Sequence, residues 1–161
     1  MAQLHKIAFP PAIMARGFWL YAWKIMARGN KRFCYVGMTG DVTGVAQSPF
    51  NRAAAHFGSN ENANAIKRYL LSHGFEPENC DSFTYLVYGP VQRYWHATPP
   101  ALRHKDFDES RKRVGALERQ LWTVAEAAGY TMLNSRPRFA TTFDKRLWRG
   151  VHAAFSSHLG L

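Results

Sequence analysis

The chain has 161 residues, of which 47% are hydrophobic and 14% aromatic, so it is long enough for a real core and too apolar for a disordered protein. Lys and Arg total 21 against 11 Asp and Glu, which gives a net charge of +10 and a pI near 10.0. A folded domain this basic typically meets a polyanion, with nucleic acid as the leading candidate, and a merely soluble basic surface is the alternative.

The cysteines and the apolar runs indicate a cellular compartment. Cys34 and Cys80 are far apart and lack CxxC spacing, which excludes a zinc finger and a disulfide framework and fits a reducing cytosol. The longest apolar run near the start, 17–23, is too short to span a bilayer, and Pro10 and Pro11 interrupt any signal-peptide core. We therefore expect a cytoplasmic protein without a membrane partner.

The first part of the chain predicts a β-hairpin. "FWLYAWKI" (18–25) and "RFCYVG" (32–37) are rich in aromatic and β-branched residues, and Gly29-Asn30 between them is a turn signal. A third strand is predicted at "SFTYLVYG" (82–89). Because this run is apolar on both faces, we expect it to be the central strand.

The stretch "SPFNRAAAHFG" predicts a helix. Ser48 can cap it, Pro49 suits the first helical position and Gly58 can end it. Residues at helical spacing are predicted to face the core: Phe50, Ala53, Ala54 and Phe57.

Helix start and stop signals predict three more helices, at 60–74, at 106–129 and from about Thr142 to His158. Asp106, Asp108 and Glu109 are explained as acids at the start of the long helix. Residues 89–105 hold three prolines without a clear period and are predicted to be a loop or an inserted arm. The order predicts one domain over 1–161 of the α/β or α+β class, with a small sheet interrupted by helices.

Arg52 and His56 lie four residues apart on the predicted polar side of the first helix, so they are neighbours in space. A guanidinium fork beside an imidazole suits a phosphate oxygen and a developing negative charge. A solvated arginine with an incidental histidine is the alternative.

Glu118 is unusual because its neighbours on the helix are apolar: Val114, Leu121, Trp122 and Ala125. A carboxylate on an apolar face is expensive unless it is paired or bound to a metal. Either it holds Mg²⁺, which usually keeps most of its ligands as water and phosphate, or it forms a buried ion pair with an arginine from elsewhere.

Tyr21 and Tyr35 belong to the two strands of the predicted hairpin. Their phenols could face one site, as hydrogen-bond donors to phosphate or as a base if a nearby cation lowers the pKa. The alternative is that both are packing residues.

Basic residues interleaved with aromatic ones predict contacts to a nucleic-acid backbone, with a solvated face as the alternative. In the predicted arm these residues are Arg93, Tyr94, Trp95, Arg103 and Lys105. Near the C-terminus they are Arg136, Arg138, Lys145, Arg146 and Arg149.

Taken in order, "WLYAWKI", "YVG", a helical Arg and His, a helical Glu and a following Asn resemble the GIY-YIG nuclease superfamily. The resemblance covers residues 18–136 and leaves 137–161 as a basic helical extension. It implies a small, three-stranded, mainly antiparallel sheet flanked by helices. It implies these catalytic residues: Tyr21, Tyr35, Arg52, His56, Glu118 and Asn134. Trp19-Leu20-Tyr21 replaces Gly-Ile-Tyr, so the first glycine of the family pattern is missing.

The activity implied by this resemblance is hydrolysis of DNA phosphodiester bonds by a restriction-like or mobile-element endonuclease. Glu118 would hold one Mg²⁺ or Mn²⁺ and Arg52 the phosphate, while Tyr21 or Tyr35 activates the water; we favour Tyr21. Double-stranded DNA is the expected partner, and a homodimer would let one active site per chain cut both strands. The alternatives are a nucleic-acid-binding protein on an inactive nuclease scaffold and a basic domain that docks an acidic protein.

Overall fold

The computed structural model describes residues 4–40, 46–58, 64–93 and 100–161, with 100–105 described as backbone alone. The strands are β1 (Gly17–Ala27), β2 (Lys31–Met38), β3 (Cys80–Arg93) and β4 (Thr131–Met132). The α-helices are α1 (Pro49–Phe57), α2 (Ala65–Ser72), α3 (Pro100–Ala127) and α4 (Lys145–Leu159). Short 3₁₀ turns lie at Pro11–Met14 and Pro77–Asn79.

The strands form one mixed, four-stranded sheet in the order β3-β1-β2-β4, which confirms the α+β class. β1 is antiparallel to β2, as the predicted hairpin requires, and also to β3, in line with the mainly antiparallel sheet that the resemblance implies. The prediction of three strands is wrong by one, because β4 adds two residues parallel to β2. A two-residue strand leaves too short a pattern to be recognised from sequence.

The hairpin between β1 and β2 confirms the predicted turn. Gly29 and Asn30 have φ values of 72° and 57°, a left-handed conformation that glycine and asparagine adopt most readily. The turn sets a register in which Tyr21 lies opposite Gly37 and Trp23 lies opposite Tyr35. Side chains of paired residues project from the same face, so both tyrosines lie on one side of the sheet.

The prediction that the third strand is central is wrong, because β3 is an edge strand and β1 is central. β3 is nevertheless covered on both faces. Leu86 and Tyr88 pack with the layer of α3 and α4, while Tyr85 and Val87 pack with the layer of α1 and α2. Cover on both faces, rather than two neighbouring strands, explains its apolar character.

The helices form two layers on opposite faces of the sheet. On one face Tyr21, Trp23 and Ile25 of β1 pack with Ile66 and Leu70 of α2. On the other face the alternate residues of β1 and β2 pack with α3 and α4, and this larger cluster includes Leu20, Val36, Leu117, Leu121 and Phe155. The period of two along each strand therefore divides the core into two halves.

The prediction of a loop or inserted arm at 89–105 is wrong at both ends of this range. β3 continues to Arg93, and a register shift between Tyr88 and Gln92 accommodates Gly89 and Pro90 within the strand. α3 begins at Pro100, so the helix starts six residues before the predicted start at Asp106. The acids at 106, 108 and 109 consequently lie inside the helix rather than at its cap. Residues 94–99 of the predicted arm lie outside the described part.

α1 and α4 each begin at a residue whose side chain caps the helix. Ser48 Oγ accepts the Asn51 N–H at 3.2 Å at the start of α1, as predicted. Asp144 accepts from the Arg146 and Leu147 N–H groups at 2.9 and 3.0 Å, which starts α4 at Lys145 rather than near Thr142. No helix in the described ranges has the length and apolar character that crossing a membrane requires.

Candidate active site

The predicted orientation of α1 is wrong in an informative way. His56 is only 2% exposed and Arg52 is half-buried, whereas Ala54, predicted to face the core, is exposed. Ala53 and Phe57 do pack against the core, as predicted. The helix therefore turns a face that includes an arginine and a histidine towards the sheet instead of towards water.

This inward face meets Tyr21 of the central strand. Tyr21 is 0% exposed, and its Oη lies 3.0 Å from His56 Nε2. The Arg52 guanidinium lies against the same phenol and forms a side-chain hydrogen bond with it. A phenol, an imidazole and a guanidinium from two distant parts of the chain thus share one buried polar contact.

Burial controls the protonation of this cluster. Desolvation raises the pKa of Tyr21 well above its ordinary value of 10.0, and Tyr35 adds to the rise, although the Arg52 charge opposes it. Desolvation, reinforced by the Arg52 charge, lowers the pKa of His56 from 6.5 to about 3. At neutral pH the phenol and the imidazole are therefore both uncharged, and Arg52 supplies the positive charge.

The tautomer of His56 sets the direction of its hydrogen bond with Tyr21. Arg52 can only donate, so its N–H takes one lone pair of Tyr21 Oη. The phenol donates to His56 Nε2 when the imidazole hydrogen is on Nδ1, and it accepts when that hydrogen is on Nε2. His56 Nδ1 is buried and has no hydrogen-bond partner within the described residues. In both arrangements the phenol and the imidazole are uncharged.

Tyr35 connects the buried contact to the surface. Its ring is stacked with that of Tyr21, with the planes 8° apart and the centroids 6.3 Å apart. The His56 ring stands edge-on to it at 4.7 Å. Tyr35 is half-buried, whereas Tyr21 is completely enclosed. Of the two tyrosines, only Tyr35 therefore presents surface to a bound molecule.

Gly37 makes room for the Tyr21 ring. A Cβ atom at this position would lie 2.9 Å from Tyr21 Cε2 and closer still to Cζ and Oη. Real Cβ atoms essentially never approach a neighbour so closely. The glycine of "YVG" is therefore needed for the packing of the phenol across the strand pair.

Tyr85 of β3 belongs to the cluster and was missed by sequence reasoning. Its hydroxyl donates to the Pro49 carbonyl in the first turn of α1 at 3.0 Å, and its ring lies 5.6 Å from that of Tyr21. It stacks on Trp23 at 4.4 Å. Burial raises its pKa, an effect opposed by the Arg52 charge. The only signal in the sequence was a tyrosine within an apolar strand, which is typical of packing.

Glu118 lies in α3 and is only 8% exposed, among the buried residues Val114, Leu121 and Trp122. Trp122, one turn later on the same side of the helix, donates its Nε1–H to the Asn134 carbonyl at 2.9 Å. Glu118 thus belongs to the surface of α3 that faces the β2–β4 edge of the sheet. The described residues contain no group of three or more metal-ligating side chains. One carboxylate is enough for Mg²⁺, which readily keeps several water ligands.

Asn134 is engaged with the backbone of β2. Its Nδ2 donates to the Val36 carbonyl at 2.8 Å, and its Oδ1 accepts the Val36 N–H at 3.3 Å. The amide continues the parallel pairing of β4 beyond Met132. This contact places Asn134 beside the strand segment that carries Tyr35 and Gly37, and its catalytic role stays a prediction.

The predicted nucleic-acid contacts are described in part. These are exposed: Arg93, Arg136, Arg138, Lys145, Arg146 and Arg149. Arg136 is also held in place, since it pairs with Glu126 at 2.6 Å and lies 4.8 Å from the centre of the Trp122 ring. Tyr94 and Trp95, and the side chains of Arg103 and Lys105, lie outside the described residues.

Comparison with protein-family models, with curated proteins and with solved structures finds no match. The chemistry of one cluster of side chains is therefore the basis for inferring a function, and its members are Tyr21, Tyr35, Arg52, His56 and Tyr85.

Proposed function

We propose that this protein is a metal-dependent endonuclease that hydrolyses DNA phosphodiester bonds, with an active site of the GIY-YIG type. The observation that supports it most is the meeting of Tyr21, Arg52 and His56 in one buried contact. These are the residue types that the family resemblance assigns to the site. Folding alone does not require them there, since a buried polar cluster is costlier than an apolar one of the same volume.

Arg52 is proposed to bind the scissile phosphate. Its guanidinium remains charged at any physiological pH, and the side chain is only partly buried. Charge-assisted hydrogen bonds from a planar fork match the non-bridging oxygens of phosphate. The same charge would stabilise the additional negative charge of the pentacovalent phosphate in the transition state.

The burial of the two tyrosines favours Tyr35 over Tyr21 as the group that activates water. A completely enclosed phenol cannot contact a water molecule without rearrangement, and the raised pKa of Tyr21 disfavours its phenolate. Tyr35 is half-exposed and touches the His56 ring. In this proposal Tyr21 holds His56 and Arg52 in position, and Tyr35 meets the attacking water.

Glu118 is proposed to hold the divalent metal, Mg²⁺ or Mn²⁺. Bound there, the ion would act as a Lewis acid at the phosphate and at the leaving oxygen. The protein supplies one oxygen donor in a largely apolar surrounding, and water and phosphate would complete the ligands of the ion. Glu118 is the residue on which the metal dependence of the reaction would rest.

The exposed cations are proposed to bind the DNA backbone. The net charge of +10 favours association with a polyanion, and Lys145, Arg146 and Arg149 lie together at the start of α4. Because each chain carries one proposed site, a homodimer would be the way to cut both strands. Binding of this kind weakens steeply as salt increases.

The test is incubation of the purified protein with supercoiled, linear and branched DNA, in Mg²⁺ and in EDTA, followed by mapping of the cut ends. Cleavage in Mg²⁺ that EDTA abolishes supports the proposal. Salt-dependent binding without cleavage would instead identify a nucleic-acid-binding protein on an inactive scaffold. Absence of both would contradict a nucleic-acid function.

A further inference from the structure

A row of planar side chains leads from the buried Tyr21 to the surface of α2. Tyr21 is stacked with Tyr35, and the Tyr35 ring lies 6.5 Å from that of Tyr69, with the planes tilted by 33°. The Arg68 guanidinium then lies 5.6 Å from the centre of the Tyr69 ring. Exposure increases along the row, because Tyr21 is buried, Tyr35 and Tyr69 are half-buried, and Arg68 is exposed.

Core packing accounts for the inner part of this row but not for its outer end. Ile66 and Leu70 already fill the buried face of α2, and Tyr69 lies only at the margin of that cluster. A cation above an exposed aromatic ring contributes only about 0.5–1 kcal/mol to folding. A half-exposed tyrosine beside an exposed arginine is, however, a common surface for binding unpaired bases.

The chemistry of the outer end selects an unpaired base rather than a duplex. Aromatic rings and guanidinium planes stack on bases whose faces are uncovered, and within a continuous duplex each base face is covered by its neighbour. Such stacking tolerates any base, since every base has a π face. Arg68, which lies over the Tyr69 ring, adds positive charge for the backbone of the same strand.

The row also places this surface near the proposed catalytic contact. The Tyr69 ring contacts the Tyr35 ring, and the centroid of the Tyr35 ring lies 4.7 Å from that of His56. A base stacked at Tyr69 would therefore lie close to a phosphate bound at Arg52, because two ring contacts separate Tyr69 from His56.

We propose that Tyr69 and Arg68 bind an unpaired nucleobase beside the phosphate that is cleaved. The substrate class is then DNA with a locally single-stranded segment, such as a flap or a frayed end, rather than a continuous duplex. The inference rests on the proposed function for the nature of its ligand, and it makes a separate prediction about which DNA is bound.

The experiment measures the Kd for two fluorescently labelled oligonucleotides in EDTA, where no metal-dependent cleavage can occur. One is a blunt duplex, and the other carries the same duplex with a single-stranded flap. The variants are Tyr69→Leu, which removes the aromatic face, and Tyr69→Phe, which keeps it.

The wild-type protein and Tyr69→Phe are expected to prefer the flap, and Tyr69→Leu to lose about tenfold in flap affinity. Blunt-duplex affinity should stay within about twofold in all three. Equal flap affinity in Tyr69→Leu and Tyr69→Phe, equal losses on both DNAs, or no binding of either DNA by the wild-type protein would overturn the inference. Thermal unfolding of both variants verifies that each is folded. If Tyr69→Leu does not fold, the flap affinity of Tyr69→Phe is compared with that of the wild-type protein.

Failure here is distinguishable from failure of the proposed function. A protein that binds the flap through Tyr69 but cuts no DNA in Mg²⁺ contradicts the nuclease and leaves the base-binding surface. A protein that cuts blunt and flapped DNA equally well, with or without the Tyr69 ring, contradicts the base-binding surface and leaves the nuclease.

Discussion

Tyr21 Oη lies 3.0 Å from His56 Nε2, and this contact joins the central strand of the sheet to α1, which turns Arg52 and His56 towards the sheet. Because the contact is enclosed, it fixes the protonation of both groups as neutral near pH 7. The proposed chemistry depends on this arrangement.

His56 should make the stability of the fold depend on pH. Its pKa is about 3 in the folded protein and 6.5 ordinarily, so between these values the unfolded chain binds a proton that the folded chain does not. The free energy of unfolding should therefore decrease as pH falls from 6.5 towards 3, by up to about 1.4 kcal/mol per pH unit.

Denaturant unfolding at several pH values checks this dependence. His56→Gln removes the titrating group, so the variant should lose less stability than the wild-type protein over this range. His5→Gln, which changes an exposed histidine, is the control and should behave as the wild-type protein. Parallel pH profiles for wild type and His56→Gln would contradict the buried neutral imidazole.

The division of roles between the tyrosines predicts different defects. Tyr35→Phe should lower the single-turnover cleavage rate by on the order of 10²-fold, the usual minimum for loss of a general base, with little change in melting temperature. Tyr21→Phe should reduce both cleavage and stability, because it removes the hydrogen bond to His56 from a buried site. Full activity in Tyr35→Phe would return the role of base to Tyr21.

Gly37→Ala should destabilise the protein by about 1–3 kcal/mol, because the added methyl group overlaps the Tyr21 ring. Thermal or denaturant unfolding measures this loss. The double variant Gly37→Ala/Tyr21→Leu removes the overlap, so it should recover part of the stability without recovering cleavage. If Gly37→Ala alone is as stable as the wild-type protein, the packing of Tyr21 on β2 is wrong.

Tyr85→Phe should impair cleavage through the position of α1. The change removes the hydrogen bond to the Pro49 carbonyl and is expected to cost about 0.5–1.5 kcal/mol of stability. Tyr130→Phe is a matched control, since it removes a similar bond of 3.1 Å to the Leu159 carbonyl of α4. Both variants should lose comparable stability, but only Tyr85→Phe should lower the maximal cleavage rate. Equal rates would limit Tyr85 to a packing role.

Much of the fold could be predicted because its signals are local. The Gly29-Asn30 turn, the Ser48 cap and the apolar strands each act through their immediate neighbours, and all of them are found in the structure. The hairpin register then follows from the turn, so the shared face of Tyr21 and Tyr35 could also be anticipated.

What could not be predicted depends on contacts between distant residues. Three consecutive alanines in α1 give almost no contrast between its faces, so the inward direction of His56 became visible only against Tyr21. Gly89 and Pro90 predict that the strand ends there, yet β3 continues beyond them because it pairs with β1. β4 consists of two residues that pair with β2, which is distant in sequence, and the Asn134 side chain adds hydrogen bonds to the same strand.

The most direct test of the proposed active site is the rate at which Glu118→Gln cleaves supercoiled plasmid DNA in Mg²⁺, compared with the rate of the wild-type protein. The DNA affinity of both proteins is measured in EDTA. Glutamine keeps the size of the side chain and removes the charge that would hold the metal. We predict a loss in rate on the order of 10²-fold or more with DNA affinity within about twofold of wild type. Cleavage by Glu118→Gln at the wild-type rate would contradict the proposed site.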